Sequence, residues 1–98
     1  MYGTIARLTV RAGAQEQLKQ TLAAMETRGV PGFVASNLYR TDEDPNVLML
    51  AVLFTDREAY TRNAESPAQD RQFQAMRGFL ESDPEWHDGE VIWSYSAS

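Results

Sequence analysis

Val47-Leu-Met-Leu-Ala-Val-Leu-Phe54 is an unbroken run of eight apolar residues, and a helical pattern begins directly after it at Thr55-Asp56. A strand that is covered on one face alternates apolar and polar residues, whereas a continuous apolar run predicts a strand buried on both faces. One layer of helices from so short a chain covers only one face of a sheet. We therefore expect a small sheet whose second face is covered by another subunit.

The residues before this run predict a strand, a helix and a second strand. Alternation over residues 2–11 places four side chains on the core face of the first strand: Thr4, Ala6, Leu8 and Val10. A helix is predicted over residues 14–28, with Gly29 as its stop, from apolar residues at helical spacing: Leu18, Leu22 and Met25. Residues 33–40 predict a strand that the polar turn 41–46 joins to the apolar run as a hairpin.

The residues after the run predict two helical segments and a last strand. Thr55 or Asp56 caps the first helix, and Ser66-Pro67 interrupts it and restarts a segment that reaches residue 80. The last strand is expected from Trp86 to Tyr95, with Gly89 marking a bulge or turn. This order predicts an α+β fold, the ferredoxin-like βαββαβ unit, with an antiparallel sheet in the order 4-1-3-2 and its helices on one face.

Composition restricts the classes of function. The 98 residues predict a single domain, 1–98, and the absence of cysteine excludes disulfides, thiolate metal sites and iron–sulfur clusters. One His among scattered carboxylates has no metal-ligand spacing, so we expect no metal. The net charge of −5 argues against a nucleic-acid partner. No apolar run is long enough for a membrane span and no secretory signal is recognisable, so the expected location is cytoplasmic.

An exposed second face of the apolar strand would be a large apolar patch, and such patches usually mark an interface. Burial of apolar side chains against an identical face gains about 0.8 kcal/mol for each methylene removed from water. We therefore predict a homodimer that forms through the sheet face.

Four short motifs lie at the junctions between predicted elements: Val30-Pro-Gly-Phe33, Phe54-x-x-x-Glu58-Ala-Tyr60, Ser66-Pro67 and Trp86-x-x-Gly89-Glu-Val91. Together with the element order, they resemble the antibiotic biosynthesis monooxygenase family, of the dimeric α+β-barrel class, over essentially the whole chain. The family includes cofactor-free oxygenases of aromatic phenols and anthrones, in which a substrate carbanion reacts directly with O2. Such a pocket must bind an aromatic, stabilise its anion and exclude water. Other members degrade haem or oxidise small quinols.

Residue by residue, the resemblance implies only part of the family's site. The helical Tyr of the anthrone oxygenases corresponds to Tyr60, whereas their Trp and their strand Asn correspond to Phe54 and Leu50. The haem-ligating His of the haem degraders corresponds to about Phe73, which removes the axial ligand. The resemblance therefore implies an enzyme without a cofactor more readily than a haem enzyme.

Three residues are catalytic candidates. The Tyr60 phenol can donate a hydrogen bond to an oxyanion or pass a proton, and Asn63, three residues on, shares its helix face and can orient a substrate carbonyl. His87 is the one side chain that titrates near neutrality unperturbed, so it is the default base. The alternatives are structural: a core tyrosine, an asparagine that satisfies backbone groups at a helix break, and a surface histidine.

The substrate-binding candidates are Asn37, Tyr39, Phe54, Phe73 and Trp86. The polar pair either lines a pocket or makes subunit contacts, and the aromatic residues form either a binding box or packing in the core or dimer. The expected function is a cofactor-independent monooxygenase that acts on a small aromatic or quinol-type molecule. The alternative is a non-catalytic homodimer that binds a small apolar ligand or serves as a pathway accessory.

Overall fold

The computed structural model describes residues 1–97, apart from the side chains of Met25 and Glu26. Its elements, in chain order, are β1 (Tyr2–Thr9), α1 (Gln15–Arg28), β2 (Phe33–Arg40), β3 (Val47–Phe54), α2 (Arg57–Ala64), α3 (Pro67–Arg77) and β4 (Glu85–Glu90). The strands form one antiparallel sheet in the order β2-β3-β1-β4, which is the predicted order read from the other edge. The ferredoxin-like α+β prediction is confirmed, with the apolar strand β3 between β2 and β1.

The core lies between one face of the sheet and the helices. The predicted core face of β1 is confirmed, because Thr4, Ala6 and Leu8 are all buried and Val10 continues the series. The remaining members of the buried core cluster come from β3, α1 and the region of α3: Leu18, Leu48, Leu50, Met76 and Leu80. The predicted place of Met25 on the apolar face of α1 falls on a side chain outside the described part of the chain.

Each helix boundary has a local cause. Gly29 ends α1 in the left-handed conformation at φ 67°, where a Cβ atom would be strained. Asp56, of the two predicted caps, begins α2 by accepting a hydrogen bond from the Ala59 N–H at 2.7 Å. Ser66 begins α3 in the same way, accepting from the Gln69 N–H at 3.1 Å, and Pro67 takes the first helical position. The predicted restart at Ser66-Pro67 is confirmed.

The last strand is shorter than predicted, since it ends at Glu90 and not at Tyr95. Glu90 pairs with Tyr2 at the very start of β1, and one further bond joins the Val91 N–H to the Met1 carbonyl at 2.9 Å. Beyond that point β1 has no backbone left to pair with. The predicted bulge at Gly89 is also absent, because Gly89 stays in register opposite Gly3; the sheet irregularity lies in β2 instead, between Phe33 and Ala35.

None of the described helices covers the other face of the sheet, which we call the open face. Ile5 on β1 is 53% exposed there and Tyr39 on β2 is 59% exposed, while the β3 side chains between them are partly buried. A single chain therefore buries only one of the two apolar faces of β3. Within the described residues, no helix has the length and apolarity that a membrane crossing needs.

Candidate active site

A cavity of about 370 Å³ separates the sheet from α2 and α3. Its floor consists of side chains in register across the sheet. One row crosses all four strands and contains Ser36, Val52, Thr4 and Asp88. The neighbouring row adds Leu50 and Trp86. The facing wall includes Tyr60 and Asn63 from α2, and Gln69, Gln72, Phe73 and Met76 from α3.

Tyr60 reaches from α2 to the far edge of the sheet. Its hydroxyl donates a hydrogen bond to the Asp88 Oδ1 on β4 at 2.8 Å. Its ring packs edge-on against Phe54, with centroids 5.6 Å apart, and against Tyr2 at 5.2 Å. Aromatic pairs in these tilted geometries are favourable beyond the area they bury. The phenol is therefore held in place before any ligand binds.

The surroundings of Tyr60 keep it protonated. Burial raises the pKa of its hydroxyl above the ordinary value, and the hydrogen bond to Asp88 and the negative charge of that carboxylate raise the pKa further. A neutral phenol at neutral pH can donate one hydrogen bond and accept others. The Tyr60 proton already points to Asp88, so the Tyr60 oxygen can offer a ligand only its free lone pairs.

Thr4 lies beneath this pair on β1, directly opposite Asp88 in register. Its side chain is 5% exposed, and its Oγ1 makes no hydrogen bond with any described residue. The nearby Thr4 hydroxyl lowers the pKa of Tyr60, against the larger effects that raise it. The Thr4 and Tyr60 hydroxyls nevertheless do not form a hydrogen bond of good geometry. A buried hydroxyl without a partner costs stability, so Thr4 is a ready donor to a bound ligand.

A second polar cluster closes the cavity at the helical wall. The Arg28 Nη2 lies within hydrogen-bond distance of three amide oxygens: Asn63 Oδ1 at 3.3 Å, Gln69 Oε1 at 3.2 Å and Gln72 Oε1 at 3.2 Å. The three amides come from α2 and α3, and all three side chains line the cavity. Arg28 therefore ties the end of α1 to the cavity wall.

Five of the predicted site residues meet at this cavity: Tyr60, Asn63, Phe54, Phe73 and Trp86. Phe54 is fully buried beneath Tyr60, whereas Trp86 is 41% exposed on the edge strand. The prediction that Asn63 shares a face with Tyr60 agrees with this arrangement, because both side chains point from α2 toward the sheet.

Three predicted site residues lie on the open face instead, and we do not retain them in this site. His87 pairs with Ile5, Asn37 with Ala51, and Tyr39 with Met49. Side chains alternate along a strand, so each of these points away from the neighbours that line the cavity. Contact of Asn37 and Tyr39 with another subunit, the second interpretation of this polar pair, stays a prediction.

Sequence reasoning missed Thr4, Asp88 and Arg28. Thr4 had a signal, since it is the polar member of an otherwise apolar core face. Asp88 had one too, because it stands two residues from Trp86 and must share its face in a strand. Arg28 had none, since its amide partners are 35, 41 and 44 residues away in the chain. In the part of the chain that the structure describes, no three His, Cys, Asp or Glu side chains come together as metal ligands.

Comparison with known families places these features in context. The family model described as antibiotic biosynthesis monooxygenase matches residues 1–76. Similar solved structures include SnoaB, a cofactor-independent oxygenase from Streptomyces nogalater, at 22% identity and a TM-score of 0.81, covering 95% of this chain and 94% of that one. A Deinococcus radiodurans protein, provisionally described as an antibiotic biosynthesis monooxygenase, is 15% identical at a TM-score of 0.79, covering 100% of this chain and 99% of that one.

A Caulobacter crescentus protein with the same provisional description is 18% identical at a TM-score of 0.79, covering 94% of this chain and 90% of that one. At these identities the structural likenesses establish the fold alone. A search among curated proteins found no match.

Proposed function

Because the chain belongs to the antibiotic biosynthesis monooxygenase family, we propose that it is a cofactor-independent monooxygenase of a small aromatic or quinol-type molecule. The observation that carries the proposal is the hydrogen bond from Tyr60 to Asp88, at 2.8 Å, at the edge of a mainly apolar cavity. A phenol that is kept neutral and already aimed at a carboxylate is arranged to pass on a proton. The cavity has room for a small aromatic ring system.

The proposed reaction needs a substrate with an acidic C–H or O–H group. The substrate gives its proton to the Tyr60 oxygen while the Tyr60 proton moves to the Asp88 carboxylate, so that Tyr60 remains neutral. The resulting carbanion reacts with O2. For an activated methylene, one oxygen atom becomes the new C=O. The other leaves as water, with the second methylene hydrogen and the proton that Asp88 returns through Tyr60, so that CH2 and O2 become C=O and H2O.

The other cavity residues bind and orient the substrate. The Thr4 hydroxyl and the Asn63 amide stabilise the substrate oxyanion, since hydrogen-bond donors near a developing charge are most effective where water is excluded. Phe54, Phe73 and Trp86 pack against the aromatic substrate and exclude water from the carbanion. No residue is assigned to hold a cofactor.

The test is oxygen uptake with product analysis across a panel of anthrones and hydroquinones. We expect Tyr60→Phe to lower kcat/KM by about 100-fold or more, because proton transfer by a positioned side chain contributes about 10²–10⁴-fold. Asp88→Asn should also lower kcat/KM. Tyr95→Phe is the matched control, since Tyr95 is 78% exposed in the C-terminal segment. No turnover across the panel, or turnover unchanged in Tyr60→Phe, would refute the proposed chemistry.

The proposed assembly is a homodimer that forms through the open face. Ile5 and Tyr39 are 53% and 59% exposed on the uncovered β1 and β2 positions. A second copy would cover them and complete the burial of β3 that its sequence predicts. The cavity lies on the opposite side of the sheet, so each subunit would keep a site of its own.

A non-catalytic ligand-binding protein is the second candidate. It is favoured by Leu50 and Phe54, which line the cavity at positions where the resemblance to the anthrone oxygenases implies an Asn and a Trp. Calorimetry separates the two functions: an anthrone that binds without oxygen uptake in the wild-type protein supports sequestration rather than catalysis.

A further inference from the structure

The side chain of Arg28 is a partly buried cation whose partners among the described residues are all neutral. Its three partners are the side-chain oxygens of Asn63, Gln69 and Gln72, at 3.2–3.3 Å. Its Nε is buried and makes no hydrogen bond with any described residue, and no described carboxylate lies within ion-pair distance. A partly buried guanidinium usually pairs with an acid. Arg28 therefore leaves positive charge beside the cavity that nothing in the described chain neutralises.

Arg28 also decides how the three amides are oriented. A guanidinium can only donate hydrogen bonds, so the amides must turn their oxygens toward it and their NH2 groups away. The Asn63 NH2 then donates to Gln69 at 3.3 Å, and the Gln72 NH2 donates to the Thr21 carbonyl at 3.4 Å. The Gln69 NH2 donates to no described residue, although Gln69 lines the cavity. An amide NH2 carries two hydrogens, so Asn63 and Gln72 each keep one, whereas Gln69 has its whole NH2 group left for a ligand among the described residues.

The carboxylates of the cavity do not cancel this effect. Asp70 and Asp88 both line the cavity, but both residues are exposed, and Asp88 already accepts from Tyr60. Water screens exposed charges far more than it screens partly buried ones. The cavity therefore has a carboxylate at Asp88 and, at Gln69, an amide whose oxygen is held by the partly buried guanidinium of Arg28.

We infer that the Gln69 amide, polarised and oriented by Arg28, is an oxyanion subsite, and that the cavity takes an aromatic molecule bearing a carboxylate or another anionic oxygen. The inference deepens the proposed function and rests on it only in treating the cavity as the ligand site. Arg28 is a positioning residue here, because it acts through the amides and does not touch the ligand. The anionic group anchors at Gln69 while the reacting position faces Tyr60.

The test compares binding of 1-hydroxy-2-naphthoate with that of its neutral methyl ester, by calorimetry at fixed ionic strength. We expect the wild-type protein to bind the acid about tenfold more tightly, because a hydrogen bond to a charged acceptor is roughly twice as strong as a neutral one. Arg28→Gln should abolish that preference and leave ester binding within about twofold. Arg71→Gln is the charge-matched control, since Arg71 is an exposed residue on the same helix as Gln69 and Gln72. It should leave the preference intact.

Gln69→Glu tests the same idea without removing Arg28. The variant keeps an oxygen for the guanidinium, so the fold should hold, but it removes the NH2 donor and supplies a neutralising charge; it should also lose the preference for the acid. Equal binding of acid and ester by the wild-type protein, or a preference that survives in either variant, would overturn the inference. A preference found in a protein that consumes no oxygen would leave the subsite standing and refute only the proposed reaction.

Discussion

At the scale of single residues, Tyr60 shows how a surface-accessible group becomes specialised through its neighbours. Its ring is fixed by Phe54 and Tyr2, and its proton is committed to Asp88. Neither effect is large alone, since an aromatic pair contributes about 0.5–1.5 kcal/mol. Together they hold one phenol in one direction and one protonation state. A site for proton transfer needs both.

The raised pKa of Tyr60 predicts how stability depends on alkaline pH. The folded protein holds this proton more tightly than the unfolded chain, in which tyrosine ionises near pH 10.0. The stabilisation is therefore fully present below about pH 10 and is lost as the pH rises above it, because only the unfolded chain then releases the proton. Urea unfolding at about pH 9 and about pH 11 should show a larger loss of stability for the wild-type protein than for Tyr60→Phe.

The difference should stay below the one-proton limit of about 1.4 kcal/mol per pH unit, since the hydroxyl is partly exposed and solvent screens it. The Tyr60→Phe variant is the internal reference, because it keeps the ring packing and lacks the ionisable group. If the free energy of unfolding of the two proteins fell equally between about pH 9 and about pH 11, the Tyr60–Asp88 hydrogen bond would not persist in solution.

At the scale of elements, strand register decides which side chains of the sheet are neighbours. The glycine pair Gly3 and Gly89 shows how closely the strands approach each other. The two glycines face each other across β1 and β4. A Cβ atom on Gly3 would overlap the backbone carbonyl oxygen of Val52 in β3, whereas a Cβ atom on Gly89 would meet open space. One glycine therefore permits the close approach of two strands, and the other does not have to be glycine.

We expect Gly3→Ala to lower the free energy of unfolding by about 1–3 kcal/mol, the usual cost of overpacking, because backbone cannot move aside as a side chain can. Gly89→Ala should be neutral or stabilising, by up to about 1 kcal/mol, since alanine restricts the unfolded chain. Urea titrations of the two variants measure both effects. Similar losses for both would mean that β1 and β3 are farther apart in solution than in the structure.

At the scale of the whole molecule, one chain leaves the second face of its central strand uncovered. We expect sedimentation or light scattering at micromolar concentration to give twice the chain mass of 11.0 kDa. Ile5→Glu should shift the protein toward monomer, because it places a charge at the centre of the open face, where Ile5 is 53% exposed in one chain. Ala23→Glu, on an exposed position of α1, is the control and should leave the assembly unchanged.

A wild-type monomer under these conditions would contradict the proposed dimer. An Ile5→Glu protein that remains dimeric would place the interface elsewhere on the molecule. In either case the cavity would be unaffected, since it lies on the other side of the sheet.

The sequence by itself determined the element order, the central place of β3, the core face of β1, the helix restart at Ser66-Pro67 and the facing of Tyr60 and Asn63 on one helix. All of these depend on periodicity and capping, which act over a few neighbouring residues. Only the tertiary structure decided that β4 ends where β1 begins, that the Asp88 carboxylate meets the Tyr60 hydroxyl, and that Arg28 holds the amides of the cavity wall. Those outcomes depend on strand register and on contacts between residues far apart in the chain, where local pattern carries no information and packing alone selects the partners.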